Sequence, residues 1–188
     1  MGKQIWKPGN MIYPLPAVMV SCSDGKGHDN IVTVAWTGTI CTNPAMAYIS
    51  LKPSRYSYEL INDSREFVIN LTTEDLAYAT DWCGVKSGRD VDKWTAMHLS
   101  KGKANALKNA PIILESPVNI ECQVEEIKEL GSHHMFLARV LCVQVDDAYL
   151  EQNGKFDLSK TGLLAYSHGE YHGLSKKLGT FGYSVKRK

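Results

Sequence analysis

A chain of 188 residues, 44% apolar and 22% charged, is long enough for one domain with a full hydrophobic core and too short for two independent ones. With 21 Lys and Arg against 20 Asp and Glu, it has no strong field to draw it onto nucleic acid or an anionic membrane, and its composition excludes wholesale disorder. No apolar stretch approaches a membrane span and the first ten residues lack the hydrophobic centre of a secretory signal, so a cytoplasmic protein without membrane or nucleic-acid partners is expected.

The cysteines Cys22, Cys41, Cys83, Cys122 and Cys142 are odd in number, widely spaced and free of any Cys-x-x-Cys pair. Reduced, mostly buried thiols are expected, with no disulfide framework and no metal site. Gly2 opens no myristoylation motif, because Trp6 stands where Ser or Thr is needed. Without a secretory route the sequons at Asn62 and Asn70 should carry no glycan, and Lys186-Arg187-Lys188 reads as a solvated tail.

In chain order, Pro14 and Pro16 precede a β-rich run over 17–22 that ends in the turn cluster Ser23-Asp24-Gly25-Lys26-Gly27. Residues 30–36 alternate and are rich in Val, Ile and Thr, which predicts a second strand; the Asn43-Pro44 turn leads to a third over 47–51. Ser54 fits a helix N-cap, followed by the apolar positions Tyr58, Leu60 and Ile61. Residues 66–71 read as a strand, and Thr73 as the cap of a second helix reaching to about Trp82. A charged, Gly-containing loop is expected from Cys83 to Trp94, and residues 118–126 and 136–145 predict a hairpin closed through Gly131. From Tyr166 to Val185 Gly, Tyr and His mix without periodicity, and no element is predicted. Strands outnumber helices and follow one another in sequence, so a mainly β fold is expected over 1–188, an antiparallel barrel with a few packed helices.

The segment Leu51-Lys52-Pro53-Ser54-Arg55-Tyr56-Ser57 ends a strand and opens a helix, placing two cations and two serine hydroxyls beside free helix N-terminal amides. Such a joint suits a phosphate, although ordinary strand-to-helix connections also read this way. No Walker loop is present, and Gly25-Lys26-Gly27 lacks the third glycine of a dinucleotide fingerprint. His168 and His172 are four residues apart, but Gly169 occupies the place of the zincin glutamate, so the pair reads as a solvated or cofactor-adjacent patch.

The order of several separated motifs resembles the flavin reductase family, in particular its flavoredoxin-like branch. They are Asn30-Ile31-Val32-Thr33-Val34-Ala35-Trp36-Thr37-Gly38, Asn43-Pro44, the cradle from Ser50 to Ser57, and Glu66-Phe67-Val68-Ile69-Asn70. Further on come Ser87-Gly88-Arg89-Asp90-Val91-Asp92-Lys93, Gly131-Ser132-His133, and Phe181-Gly182-Tyr183-Ser184-Val185. The resemblance implies an FMN-binding split β-barrel, a homodimer with FMN near the subunit interface, and NADH or NADPH as a possible electron donor. It implies that Thr33, Ala35, Trp36 and Thr37 line the isoalloxazine, largely through backbone groups, beside Ser50 and Leu51. Lys52, Arg55 and Ser57 are implied to hold the phosphate, with Lys93 as a helper. Trp36 reads equally as ordinary core or dimer interface.

His133, the candidate catalytic residue, matches the histidine of a Gly-Asp-His motif in the family, with Ser132 in place of the Asp and Ala138 in place of a later Gly. Three functions stay open at this point. The first is an NAD(P)H-dependent flavin reductase, delivering electrons to a small-molecule or protein acceptor. The second is a flavoredoxin-type FMN electron carrier reduced by a protein partner, and the third is a ligand-binding barrel with no redox role.

Overall fold

The computed structural model describes residues 2–185, and the basic run Lys186-Arg187-Lys188 lies outside the described residues. The first strands are β1 (Val18–Ser23), β2 (Asp29–Val34), β3 (Thr37–Cys41) and β4 (Met46–Leu51). After α1 (Tyr56–Ser64) come β5 (Glu66–Leu71), α2 (Ala77–Val85), α3 (Lys93–Ala96), and the short pair β6 (Lys101–Gly102) and β7 (Ile112–Ile113). Two long strands follow, β8 (Val118–Glu129) and β9 (His134–Val145), then the hairpin of β10 (Leu164–Ser167) and β11 (Glu170–Gly173).

Seven strands form one antiparallel sheet in the order β2-β1-β5-β8-β9-β4-β3. Its two edge strands, β2 and β3, are consecutive in the chain and joined by Ala35 and Trp36 alone. A two-residue link cannot span an open seven-stranded sheet, whose strands lie about 4.8 Å apart, so the sheet must curl until its edges meet. The chain crosses from one edge to the other at Ala35 and Trp36, and the Trp36 carbonyl, accepting from the Ser50 amide of β4 at 2.9 Å, carries the β3–β4 ladder one position past Thr37. The result is a barrel with a seam beside residues 35 and 36.

Strand periodicity fills the barrel. Val18, Val20, Val32, Val34, Ile49, Phe67, Ile69 and Phe136 form its interior cluster, joined by Leu60 and Ile61 of α1. The opposite faces of β1 and β2 present Met19 and Ile31, which pack with Leu76, Ala79, Cys83 and Trp94 from the α2 and α3 region. Both faces of β1 are thus covered, which is why all six of its residues are buried. Asn70 is fully buried and its amide donates to the Met19 carbonyl and the Ser21 hydroxyl, both at 2.9 Å, so this sequon serves the packing of the fold.

Two buried carboxylates fasten the segment 105–110 over the outside of β5 and β8. Glu121 accepts from the amides of Asn105 at 2.9 Å and Ala106 at 2.6 Å and from Gln144 Nε2 at 2.8 Å, while Glu66 accepts from the Asn109 amide at 2.8 Å. Burial alone would raise the Glu121 pKa, but these donors together hold it below the ordinary value. A depressed folded-state value contributes stability that is fully present above the ordinary carboxylate pKa of about 4.3 and is lost as pH falls through the folded value. Glu121→Gln therefore removes about 2 kcal/mol at pH 7, read from urea unfolding, and flattens the acid limb of the stability profile. An unchanged midpoint would mean that these amides find water instead.

Three elements differ from the sequence reading. Arg55, not Ser54, is the N-cap of α1, and it caps without a side-chain bond. Pro53 sits second in a turn closed by the Arg55 amide on the Lys52 carbonyl at 3.0 Å, which delays the helix by one residue. Thr73 likewise opens a turn, with the Leu76 amide on its carbonyl at 3.0 Å, and α2 begins only at Ala77 and reaches Val85. At the end of the expected loop α3 forms, because the Asp92 carboxylate accepts from the amides of Trp94 at 3.0 Å and Thr95 at 3.5 Å.

The unassigned tail contains the β10–β11 hairpin, turned at His168 (φ 50°) and Gly169 (φ 94°). Two consecutive positive φ values are the signature of a type I′ hairpin turn, and this accounts for the His168-Gly169 pair without any metal. Among the described residues no three His, Cys, Asp or Glu side chains gather as metal ligands, and no helix is long and apolar enough to cross a membrane. Cys22, Cys83 and Cys122 are buried, and burial pushes their thiols up to about 12, 11 and 12 respectively, so they are neutral. Cys41 and Cys142 are half-buried.

Candidate functional site

The seam between β2 and β4 opens into a cavity of about 380 Å³. Residues 32–36 form one wall and Ser50 and Leu51 the opposite one, while Tyr13, Tyr166 and Tyr171 close the mouth. The β10–β11 hairpin reaches this place because Leu15 and Tyr166 exchange both backbone bonds, at 2.8 and 2.7 Å. Tyr171 donates to Asp81 Oδ1 at 3.2 Å, and burial followed by the Asp81 charge pushes its phenol up to about 12, so it stays a neutral donor.

A second cavity of about 280 Å³ adjoins the first, and Val32, Lys52 and Arg55 belong to both. Four cationic residues, Lys52, Arg55, Lys86 and Lys93, line it and no carboxylate does. Ser57 is buried there, its hydroxyl accepting from Asn30 Nδ2 at 2.9 Å. With no side-chain cap on α1, its first amides remain for a ligand or water. Among the described residues the side chains of Lys52, Arg55 and Lys86 make no hydrogen bond or ion pair. Unpaired cations around one concavity, beside a helix N-terminus, define an anion cradle.

Lys93 is 3% exposed and sits deepest, donating from Nζ to the carbonyls of Ile31 at 2.6 Å and Cys83 at 2.7 Å. Burial lowers its pKa to about 8; the Cys83 sulfur opposes that shift and the Arg55 charge adds to it. Gly88 is a steric necessity at the rim, since a Cβ there would lie 2.1 Å from Asn30 Oδ1.

The other residues singled out in the sequence fall as follows. The Thr33 hydroxyl turns away to the Thr80 carbonyl, leaving its backbone to the cavity. Ala35 and Trp36 form the seam link, and Trp36 is 41% exposed with its ring edge-on to His133, 4.5 Å between centroids. Thr37 lines neither cavity; its hydroxyl donates to the Tyr48 carbonyl at 2.7 Å. His133 lies in the turn before β9 and lines the first cavity, with Nδ1 3.0 Å from the Ser132 hydroxyl. Burial, then the charges of Lys52 and Arg55, lower its pKa, so the imidazole is neutral at pH 7. His134 is the first residue of β9, with Nδ1 2.9 Å from the Tyr58 hydroxyl.

Asn30, Lys86, Tyr13, Tyr171 and Asp81 escaped the sequence reading as site residues. Lys86 meets Lys52 only because α2 packs against β2, and no local pattern carries that information.

The site is thus a cavity with three tyrosines in its lining, set beside an anion cradle on a curled antiparallel barrel. A model of the flavin reductase like domain matches residues 11–175, and the chain belongs to that family. In structure it is similar to the flavoredoxin of Desulfovibrio vulgaris (Miyazaki F), with a TM-score of 0.90 and 25% identity over 98% of this chain and 100% of that one. It is also similar to the flavoredoxin from Methanosarcina acetivorans, with a TM-score of 0.87 and 28% identity over 98% and 100%. A relative in sequence is an uncharacterized protein of Archaeoglobus fulgidus, 28% identical over 85% of this chain and 87% of its own length.

Proposed function

We propose that the protein is an FMN-dependent oxidoreductase that takes hydride from NADH or NADPH, a flavin reductase in the direct sense. The observation that carries this reading is the pair of joined cavities, one lined by residues 32–36, Ser50, Leu51 and three tyrosines, the other by four cationic residues and no acid. FMN has the same two-ended chemistry, a flat polar-edged ring and a phosphate of nearly two negative charges. Bound there, it would supply the hydride and electron chemistry that no side chain of this chain can.

The protein's own part is binding and geometry. Lys52, Arg55 and Lys86 grip the phosphate, with Ser57 and the first amides of α1 supplying neutral donors. Backbone groups of residues 32–36, with Ser50 and Leu51, position the ring. Trp36 and the neutral His133 form one side of the opening through which a nicotinamide would enter, and Tyr171 keeps a proton at the other.

Purified protein should be yellow, and anaerobic mixing with NADH or NADPH should bleach it within the mixing experiment. A second reading is a flavoredoxin-type carrier reduced by a protein partner, favoured by the likeness to the two flavoredoxins. Yellow protein that neither nucleotide bleaches selects the carrier. A colourless protein that takes up no FMN leaves a ligand-binding barrel without redox chemistry.

The reading includes a homodimer. Leu141, Val143 and Val145 alternate along one face of β9 as exposed apolar side chains, and β3 adds Ile40. Such a row on a sheet face is the kind of surface a second copy covers. Sedimentation equilibrium checks it, since a mass of one 20.9 kDa chain would exclude the pairing.

A further inference from the structure

The two ends of the chain leave the barrel as arms. Among the described residues, 2–12 and 174–185 make no backbone hydrogen bond to the rest of the chain, and their apolar side chains are bare. Ile5 and Phe181 are fully exposed, and Ile12 and Leu178 are 84% and 83% exposed. Apolar side chains gathered on two free segments mark a surface that another molecule covers.

The second arm ends in a shaped tip. The Tyr183 amide donates to the Thr180 carbonyl at 2.9 Å and the Val185 amide to the Gly182 carbonyl at 3.2 Å, with Gly182 at φ 78°. Tyr183 folds back over Gly179, where a Cβ would lie 2.5 Å from its ring. A tip that is already folded, with none of its own chain beneath it, loses little conformational entropy on docking.

Charge selects what the arms dock on. They carry Lys3, Lys7, Lys176 and Lys177 and no acid, whereas residues 13–173 hold all 20 Asp and Glu against 14 Lys and Arg. Basic apolar arms are complementary to an acidic body, and a second copy supplies that body. No α-helix forms in either arm among the described residues, so neither offers a lipid surface an amphipathic helix.

The face that fits is the outer one of β3, β4 and β9. Ile40, Leu141, Val143 and Val145 are its exposed apolar row. Asp146 and Asp147 are exposed at one end, and Glu126, in register with Leu137, at the other. Its Arg139 is already paired with Glu125. Both arms are rooted at the cavity mouth, one running into Tyr13 and the other leaving from β11, which carries Tyr171.

We propose that each copy lays its two arms on the β3–β4–β9 face of a second copy, an exchange that ties the cavity mouth of one to the body of the other. This rests on the homodimer reading above and names what holds the pair together.

The full-length chain is prepared with a photoreactive benzophenone side chain at position 181, and heavy-isotope and unlabelled copies are mixed, left to exchange and irradiated. Cross-links that join a heavy chain to a light one through β3, β4 or β9 are expected. Leu178→Ser with Phe181→Ser, and separately Leu141→Ser with Val143→Ser, should each weaken the dimer by roughly tenfold or more in sedimentation equilibrium. All four side chains are exposed, so the barrel should keep its urea midpoint. Cross-links confined to one chain or to another face, or a tail variant that pairs as tightly as wild type, overturn the exchange and leave the homodimer standing. A wild-type mass of one chain removes both, and binding of that single chain to phosphatidylglycerol vesicles would give the arms to a lipid surface instead.

Discussion

Replacing Arg55 with alanine weakens FMN binding by about 1.5 to 3 kcal/mol, roughly 10- to 150-fold in Kd, the range for losing a charge-assisted hydrogen bond. Several features place the effect at the upper end. Arg55 borders both cavities and has no partner for its side chain among the described residues, so no competing ion pair offsets the loss. It is also the N-cap of α1 without capping through its side chain, so the fold itself should tolerate alanine. Its charge reaches further, since Arg55 lowers the pKa of both His133 and Lys93. Arg55→Ala should therefore raise the His133 pKa in an NMR titration of the flavin-free protein while leaving the urea midpoint nearly unchanged. Arg55→Lys restores charge without the planar fork and should recover part of the affinity. Wild-type affinity in the alanine variant would remove Arg55 from the site.

The barrel was legible where periodicity is strong. Residues 30–36, alternating and rich in Val, Ile and Thr, and residues 47–51 after the Asn43-Pro44 turn read as strands, and they contain β2 and β4, two walls of the cavity. The cradle was legible because it is local, seven residues carrying cations, hydroxyls and a helix start. What local patterns hide is the convergence of distant residues. Lys86 and Asn30 join Lys52 only after α2 and β2 pack, and Tyr13 and Tyr171 reach the mouth through the Leu15–Tyr166 bridge. The β10–β11 hairpin escaped because its turn is His168-Gly169, a weaker signal than Asn-Gly for the same positive-φ geometry. Thr37 shows the opposite limit. It belongs to the motif that carries the family resemblance, yet its hydroxyl is spent on the Tyr48 carbonyl, outside both cavities. A motif marks a segment; which of its side chains face the ligand is decided by strand alternation and by competing partners.

Lys93 sets two pH dependences of opposite sign. Its buried ammonium, lowered to about 8 by burial first, lies far below the 10.5 it has in the unfolded chain. Between those values the unfolded chain binds more protons than the fold, so Lys93 makes the flavin-free protein more stable as pH rises from about 8 toward 10.5. Flavin phosphate reverses the preference. The phosphate is dianionic throughout this window, and its charge favours the ammonium, so binding above about pH 7 takes up a proton. Affinity should then fall as pH rises through 8, by at most tenfold per unit. Cys22 and Cys83, the thiols that face Lys93, titrate near 12 and 11 and do not contribute in this range. Lys93→Met separates the two effects. It removes the desolvated charge along with the bonds to the Ile31 and Cys83 carbonyls, so the rise in the urea midpoint between pH 8 and 10.5 should disappear. It should also abolish the fall in FMN affinity between pH 7 and 9.5 in isothermal titration. If wild-type affinity is level across that range, Lys93 only ties β2 to α2 and does not feel the phosphate, and the cradle is left to Lys52, Arg55 and Lys86.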